Sequence, residues 1–339
     1  MKAVISVYLY YFEEIYRQIV VDYDIKLTDL CEYIIVSMNG SKIPFYSLYY
    51  NKVEYFAYKF DDDDNDIKSI FNLKLSDLNI KMGSELELDY NLDQDYYFII
   101  KVDAIENLVN FKNEFEVLNG AGYGILDSIS TNHLRNLLIN KDKKNYYLKV
   151  DQINYLKMKF DINENNDKIR EYIKYREELT REKRYVFNVS LDEFDKEIKR
   201  KIVMDNDLTI DTFCKKVIAS MNGSLGHAYI IKRNKDYLDE EYFEDVPLYY
   251  LDLKEKQRLK VIYDFGDNWI FNVTVSKIID GYGEENSEVI SGKGYGIIDD
   301  CGGTWGLDDI FSGKNDSWGS YDINEFDLEE CNRDVQMTF

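Results

Sequence analysis

Apolar residues alternate with polar ones at Val7 and Leu9 and again at Ile19 and Val21, then change spacing at Leu30, Cys31, Ile34, Ile35 and Met38. A period of two predicts a strand pair with one buried face, and the i, i+1, i+4, i+5, i+8 stripe predicts an amphipathic helix packed on it. The same change of period recurs: Phe187, Val189 and Leu191, then Ile198 and Ile202, lead into Phe213, Cys214, Val217, Ile218 and Met221. Thr28 is the expected cap of the first helix, and Thr209 or Asp211 of the second. Gly40 and Gly223 stand where a left-handed C-terminal cap belongs. Extended aromatic segments follow, from Tyr46 to Tyr58 and from Tyr229 to Ile231, and in the first half the acidic run Asp61 to Asp64 reads as a solvated loop. Each half then closes on two further strands, Leu86-Leu88-Tyr90 with Phe98-Ile100-Val102, and Leu259-Val261-Tyr263 with Phe271-Val273-Val275.

The pattern is therefore stated twice, and short motifs agree. Met38-Asn39-Gly40-Ser41 recurs as Met221-Asn222-Gly223-Ser224, and Gly122-Tyr123-Gly124-Ile125 as Gly294-Tyr295-Gly296-Ile297. An α+β fold in tandem duplication follows, and hairpin, helix and further strands is the element order of a β-grasp (ubiquitin-like) unit. The expected divisions are a first copy at 1–130, a bridge at 131–183 and a second copy at 184–339. The bridge is richer in Lys and Arg than its flanks and reads as a helical tail of the first copy. In it, Phe160-Asp161-Ile162-Asn163-Glu164 echoes Tyr321-Asp322-Ile323-Asn324-Glu325.

At 339 residues and 45% hydrophobic, the chain can bury two cores. It shows neither a run of apolar residues long enough to span a bilayer nor a basic-flanked leader, so a cytoplasmic protein is expected. Four cysteines make no disulfide framework, and Cys31 and Cys214, equivalent in the repeat, fall on buried helix stripes. The net charge of −22 repels duplex DNA and anionic membrane, so direct nucleic-acid binding is not expected. A basic surface on another protein would be attracted. Heavy use of Asn, Asp, Tyr, Ile and Lys with only 2 Pro and 2 His also fits AT-rich coding, which would produce acidity without a partner.

Only the second copy carries Tyr263-Asp264-Phe265-Gly266-Asp267-Asn268-Trp269 and Asp300-Cys301-Gly302-Gly303-Thr304-Trp305-Gly306. Asp264 and Gly266 suit a tight turn. The Asp-Phe-Gly triplet lacks every other protein-kinase element, and the glycines of 292–306 fit neither a P-loop nor a dinucleotide fingerprint. With Asp299, Asp300, Asp308 and Asp309 around them, these glycines read as a turn-rich wrap packed by Trp305 rather than a phosphate cradle.

These motifs, with Met221-Asn222-Gly223, His227 and Tyr229 before them and Trp318, Asp322, Phe326-Asp327 and Asn332 after, resemble the plasmid pRiA4b ORF-3-like family over residues 184–335. The first copy shares the resemblance through the internal repeat. The family implies a fold resembling ubiquitin in its first part with a helical tail, occurrence in bacteria, archaea and some insertion sequences, and no established catalytic activity. Members often carry a second cysteine five positions before Cys-Gly-Gly. Here that position is Gly296, which puts a thiol pair or shared metal at Cys301 in doubt.

Three functions are weighed. The favoured one is a non-catalytic adaptor that binds a protein through acidic, Tyr-rich surfaces, with His227, Asp264, Phe265, Gly266, Asp267, Trp269, Asp299, Asp300, Cys301 and Trp305 as the candidate binding region and no cofactor or resident metal. A nucleic-acid-mimicking inhibitor of a defence nuclease is the alternative. A divalent-metal-dependent hydrolase using Asp264, Asp267, Asp299 and Asp300 is the third, open if the two motifs gather at one end of the domain.

Overall fold

The computed structural model describes residues 1–41, 46–57, 66–90, 95–139, 150–233, 236–239, 244–314, 316–319 and 321–338. The acidic run Asp61 to Asp64 lies outside them. Two compact units divide the chain, Met1–Glu177 and Glu178–Phe339.

In the first unit the hairpin β1 (Lys2–Leu9) and β2 (Phe12–Asp22) precedes α1 (Leu27–Ser37). Then come β3 (Tyr46–Tyr50), β4 (Val53–Phe56), β5 (Asp66–Ser69), β6 (Glu85–Tyr90), β7 (Tyr96–Glu106) and β8 (Phe115–Ala121). Helices α2 (Thr131–Ile139), α3 (Val150–Tyr155) and α4 (Ile162–Thr180) follow. The sheet order is β5-β4-β3-β6-β7-β1-β2-β8, antiparallel except for β4–β5. The second unit repeats the plan. It has β9 (Lys183–Leu191), β10 (Lys199–Asp205), α5 (Ile210–Ser220), β11 (Tyr229–Arg233), β12 (Asp236–Asp239), β13 (Arg258–Tyr263), β14 (Trp269–Asp280), β15 (Ser287–Lys293), α6 (Gly303–Phe311) and α7 (Leu328–Met337). Its sheet order is β12-β11-β13-β14-β9-β10-β15. The expected order of elements is present in both units. The first strand pairs antiparallel with the long strand beside it, β1 with β7 and β9 with β14, so the ubiquitin comparison extends to element order alone.

Alternating strand residues such as Ile5, Val7, Phe98 and Ile100 are buried under the stripe Leu30, Cys31, Ile34 and Met38, and Val189, Phe271 and Val273 lie likewise under Phe213, Cys214, Val217 and Met221. Helix ends correct two expectations. Thr28 does not cap α1: the helix begins at Leu27, after Lys26, with no side-chain cap, and Leu27 donates its N–H to the Leu73 carbonyl (2.9 Å) as Ile210 of α5 does to Val246 (2.8 Å). Thr209 does cap α5, accepting from the Thr212 N–H at 3.0 Å, while Asp211 lies inside the first turn. At the C-termini the left-handed residues are Asn39 (φ 64°) and Asn222 (φ 66°), not the glycines. Gly40 and Gly223 are required by space, because a Cβ there would sit 2.4 Å from the Cγ2 of Ile35 or Ile218.

One buried arginine in each unit ties the fold together. Arg17 donates Nε–H to the Ser37 carbonyl (2.9 Å) and its two Nη groups to the carbonyls of Ala121, Gly122 and Tyr123. Arg200 does the same with Ser220 (2.7 Å), Lys293, Gly294 and Tyr295. A guanidinium offers a fork of five donors, so one residue satisfies a helix C-terminus and a strand end together. Burial lowers the Arg17 pKa to about 10, which still leaves it charged at neutral pH. A phenyl ring covers each guanidinium, Phe160 at 4.4 Å and Phe326 at 4.5 Å. This corrects the alignment of the tails. Phe160-Asp161 corresponds to Phe326-Asp327, not to Tyr321-Asp322, and both aspartates cap the helix that follows, Asp161 over Glu164 and Asp327 over Glu330. Asn166 and Asn332 then clamp the edge strand, each bonding both N–H and carbonyl of Val117 or Val289.

The repeated motifs meet in space. Asn222 donates its side-chain N–H to the Tyr295 carbonyl (2.7 Å), and the Met221 carbonyl accepts from Ile297 (2.8 Å). Asn39 and Met38 make the equivalent bonds to Tyr123 and Ile125. Met-Asn-Gly-Ser and Gly-Tyr-Gly-Ile are two sides of one scaffold joint.

Candidate functional site

Five residues, 264–268, connect β13 to β14, and their sequence dictates a locked turn. Asp264 takes a left-handed backbone (φ 53°) and its Oδ1 accepts the N–H groups of Gly266 (2.9 Å) and Asp267 (3.3 Å). Its own N–H donates to Ala228 at 3.0 Å, and Asn268 closes the turn on the Asp264 carbonyl at 2.6 Å. This aims the Asp267 carboxylate at the N–H of Gly302, 3.2 Å from each oxygen. Gly303 opens α6 at φ 68°, where a Cβ would lie 2.5 Å from the Asp267 carbonyl. The two motifs of the second copy therefore pack directly on each other.

Around this junction the candidates separate. His227, just before β11, lies edge-on to Tyr263, with ring centroids 5.9 Å apart. Its Nε2 is 3.7 Å from Asp264 Oδ2 and 3.4 Å from Asp300 Oδ1, and one ligand atom from each of the three residues lies within 4.8 Å of the others. Asp299 is a different case. It accepts from the Ser224 N–H (2.7 Å) and the Tyr263 hydroxyl (3.2 Å), just as Asp127 accepts from Ser41 and Tyr90 in the first unit. It belongs to the shared scaffold. Trp269 is wholly buried as the first residue of β14, so it is core rather than contact surface.

Trp305 corrects the expected packed wrap. It stands on the first turn of α6 at 86% exposure, and Phe265 at the tip of the turn is 59% exposed. Close backbone contact, not an indole, holds the wrap together. Cys301 donates to the Gly303 carbonyl at 3.7 Å, and burial beside the Asp267 carboxylate pushes its thiol up to about 12. It is a protonated thiol at neutral pH, not a nucleophile. The position of the second family cysteine is closed to a side chain, since Gly296 has φ 129° and a Cβ there would approach the Met221 carbonyl to 2.5 Å.

Strand register fixes the comparison with the first copy. Tyr229 pairs with Tyr263 as Tyr46 pairs with Tyr90. Counted along the sequence from those pairs, His227 and Asp264 align with Pro44 and Asn91, which lie outside the described residues, and Asp300 follows Asp299 as Ser128 follows Asp127. All three titratable groups are replaced together. The buried arginines carry a signal in the sequence that their polar neighbours mask: Arg17 and Arg200 each stand two residues before an apolar run, Ile19-Val20-Val21 and Ile202-Val203-Met204.

The fold is that of a tandem α+β protein with one scaffold built twice. The chain belongs to the family described as plasmid pRiA4b ORF-3-like protein, which matches residues 4–167 and again 183–330, so the first copy matches in its own right. Among solved structures, it is similar to the crystal structure of a protein of unknown function, MM3350 from Methanosarcina mazei Go1. The two are 23% identical with a TM-score of 0.40, over 45% of this chain and 98% of that one. No curated protein matches. No helix among the described residues is long and apolar enough to cross a membrane.

Proposed function

We propose that this protein is a non-catalytic adaptor whose second unit presents the 264–269 and 299–306 junction to a protein partner. The observation that carries the reading is the exposure of Trp305 on the first turn of α6. Large aromatic side chains have few rotatable bonds to fix on docking, and such residues anchor protein interfaces. Phe265 adds a second apolar contact and Asp300 an exposed carboxylate, while Asp308 and Asp309 are paired with Lys196 and Lys314, so the complementary surface is an apolar pocket with a basic group at its edge. The protonated Cys301 supplies no nucleophile, which favours binding over covalent chemistry.

A photo-crosslinking residue placed at 305 in the full chain, expressed in its native host, tests this. A single crosslinked protein is expected, lost when Phe265→Ala is added and absent when the crosslinker sits at 82, an exposed position of the first unit. Equal yield from both positions would sink the reading. Association that collapses with added salt, to a partner that processes nucleic acid, would instead identify mimicry of nucleic-acid charge.

A further inference from the structure

We infer that His227, Asp264 and Asp300 form a binding site for one divalent transition-metal ion of the zinc type. Metal–nitrogen and metal–oxygen bonds of about 2.0–2.1 Å place neighbouring ligands of a tetrahedral ion about 3.4 Å apart. The His227 Nε2 separations of 3.4 Å to Asp300 and 3.7 Å to Asp264 are close to that edge, and longer than the roughly 2.9 Å of a good direct hydrogen bond. The groups stand far enough apart to admit an ion and near enough to share it.

A second observation points the same way. The Asp264 side chain is only 9% exposed, and its Oδ1 is engaged by two backbone N–H groups. Its Oδ2 accepts no hydrogen bond among the described residues and faces His227. The two bonds to Oδ1 fix the carboxylate, so Oδ2 is held on the side that faces the imidazole. His227 is held against Tyr263 with its Nε2 toward both carboxylates. Asp300, 72% exposed, keeps the mouth open to solvent, which leaves room for water as a fourth ligand.

One imidazole with two carboxylates favours zinc-like ions over calcium or magnesium, which take oxygen ligands in larger number. Pro44, Asn91 and Ser128 at the corresponding positions of the first copy predict one ion per chain, not two. The site stands whether or not a protein docks beside it, so its failure and that of the adaptor reading are separable.

The test uses the full chain, stripped by chelator and titrated calorimetrically with zinc chloride in a buffer containing excess magnesium. One tight ion per chain is expected, raising the thermal midpoint of the second unit. His227→Ala should abolish both effects, with affinity falling by more than the roughly 10–100-fold that loss of an outer-shell partner costs. Asp300→Asn should weaken binding in the same direction. The metal-free variants should melt where the metal-free parent melts, which excludes misfolding as the cause. Affinity should fall on acidification, because the ligands must be deprotonated to bind. No saturable binding would overturn the site, and so would unchanged binding in both variants, which would show zinc held by surface carboxylates.

Discussion

The two units are built on one joint and differ at one end. Both bury an arginine under a phenyl ring, moor the Met-Asn-Gly-Ser loop on an aspartate, and clamp the edge strand with an asparagine. Only the second places His227, Asp264 and Asp300 together and raises Trp305 into solvent beside them. What is repeated serves folding, and what is specific to one copy marks the place to look for binding. The first copy shows that the scaffold stands without the site.

The sharpest way to break this comparison is at the shared joint. Arg200→Leu takes a donor from four carbonyls, of which Tyr295 keeps the Asn222 amide and Ser220 the Cys331 thiol, and each one left as a buried orphan costs about 1–3 kcal/mol. A loss of at least about 3 kcal/mol is expected in the second unit, and Arg17→Leu should cost the first unit a similar amount. The 3 tryptophans all lie in the second unit, so denaturant unfolding followed by fluorescence reports on Arg200→Leu, and hydrogen exchange localises Arg17→Leu. If Arg200→Leu is mild, the shared joint is not what holds the fold.

The next effect separates the units by pH. Asp89 on β6 is buried where the second copy has Ile262, and burial, reinforced by Asp95 and Glu54, raises its pKa to about 6. The unfolded value is about 3.9, so between these values the folded state binds the extra proton. Its stability therefore falls as pH rises through that window, and the stabilisation is fully lost above the folded pKa. Asp89→Asn should match the parent near pH 4 and exceed it at pH 7 by about 2–3 kcal/mol, measured as protection of first-unit amides. A variant with no gain at pH 7 would mean that Asp89 is not strained by burial.

Much of this architecture was legible in the chain. The change from period two to the helical stripe marks the hairpins and helices correctly, because burial on one face dictates both patterns. Thr209 caps α5 as its place in the sequence predicts, whereas α1 starts one residue before Thr28, and the backbone partners of the two first turns, Leu73 and Val246, are distant in sequence and leave no local signature. The tail was misaligned because Asp-Ile-Asn-Glu matches by letters, whereas Phe160 and Phe326 match by what they cover. At the site, the motifs identified the right turns but not the sorting of their residues. Asp299 and Asp300 are neighbours in sequence, yet one moors the scaffold and the other faces His227, a division set by backbone direction at a left-handed residue.

A smaller effect tests that sorting. Asp264→Ala removes the acceptor of two turn N–H groups and replaces a residue that tolerates the left-handed backbone by one that does not, for an expected loss of about 1–2 kcal/mol. Asp264→Asn keeps both the acceptor and the tolerance of that conformation, and should cost under about 0.5 kcal/mol. The corresponding residue of the first copy is Asn91, so the asparagine variant asks whether turn and charge are separable. Equal losses from both variants would show that the carboxylate itself holds the turn.

The smallest expected change is the most specific one. At 86% exposure the Trp305 side chain contributes almost nothing to the core, and Trp305→Ala should alter second-unit stability by no more than about 0.5 kcal/mol in denaturant unfolding. The neighbouring turn offers a contrast, because Gly303→Ala drives a β-carbon toward the Asp267 carbonyl and should destabilise clearly, although it is the smaller chemical change. If Trp305→Ala is instead as destabilising as Gly303→Ala, the indole is packed in solution and is no contact surface. If it is silent in stability while crosslinking from position 265 is lost, the residue is held outward at the expense of exposed apolar area, which folding alone gives no reason to keep.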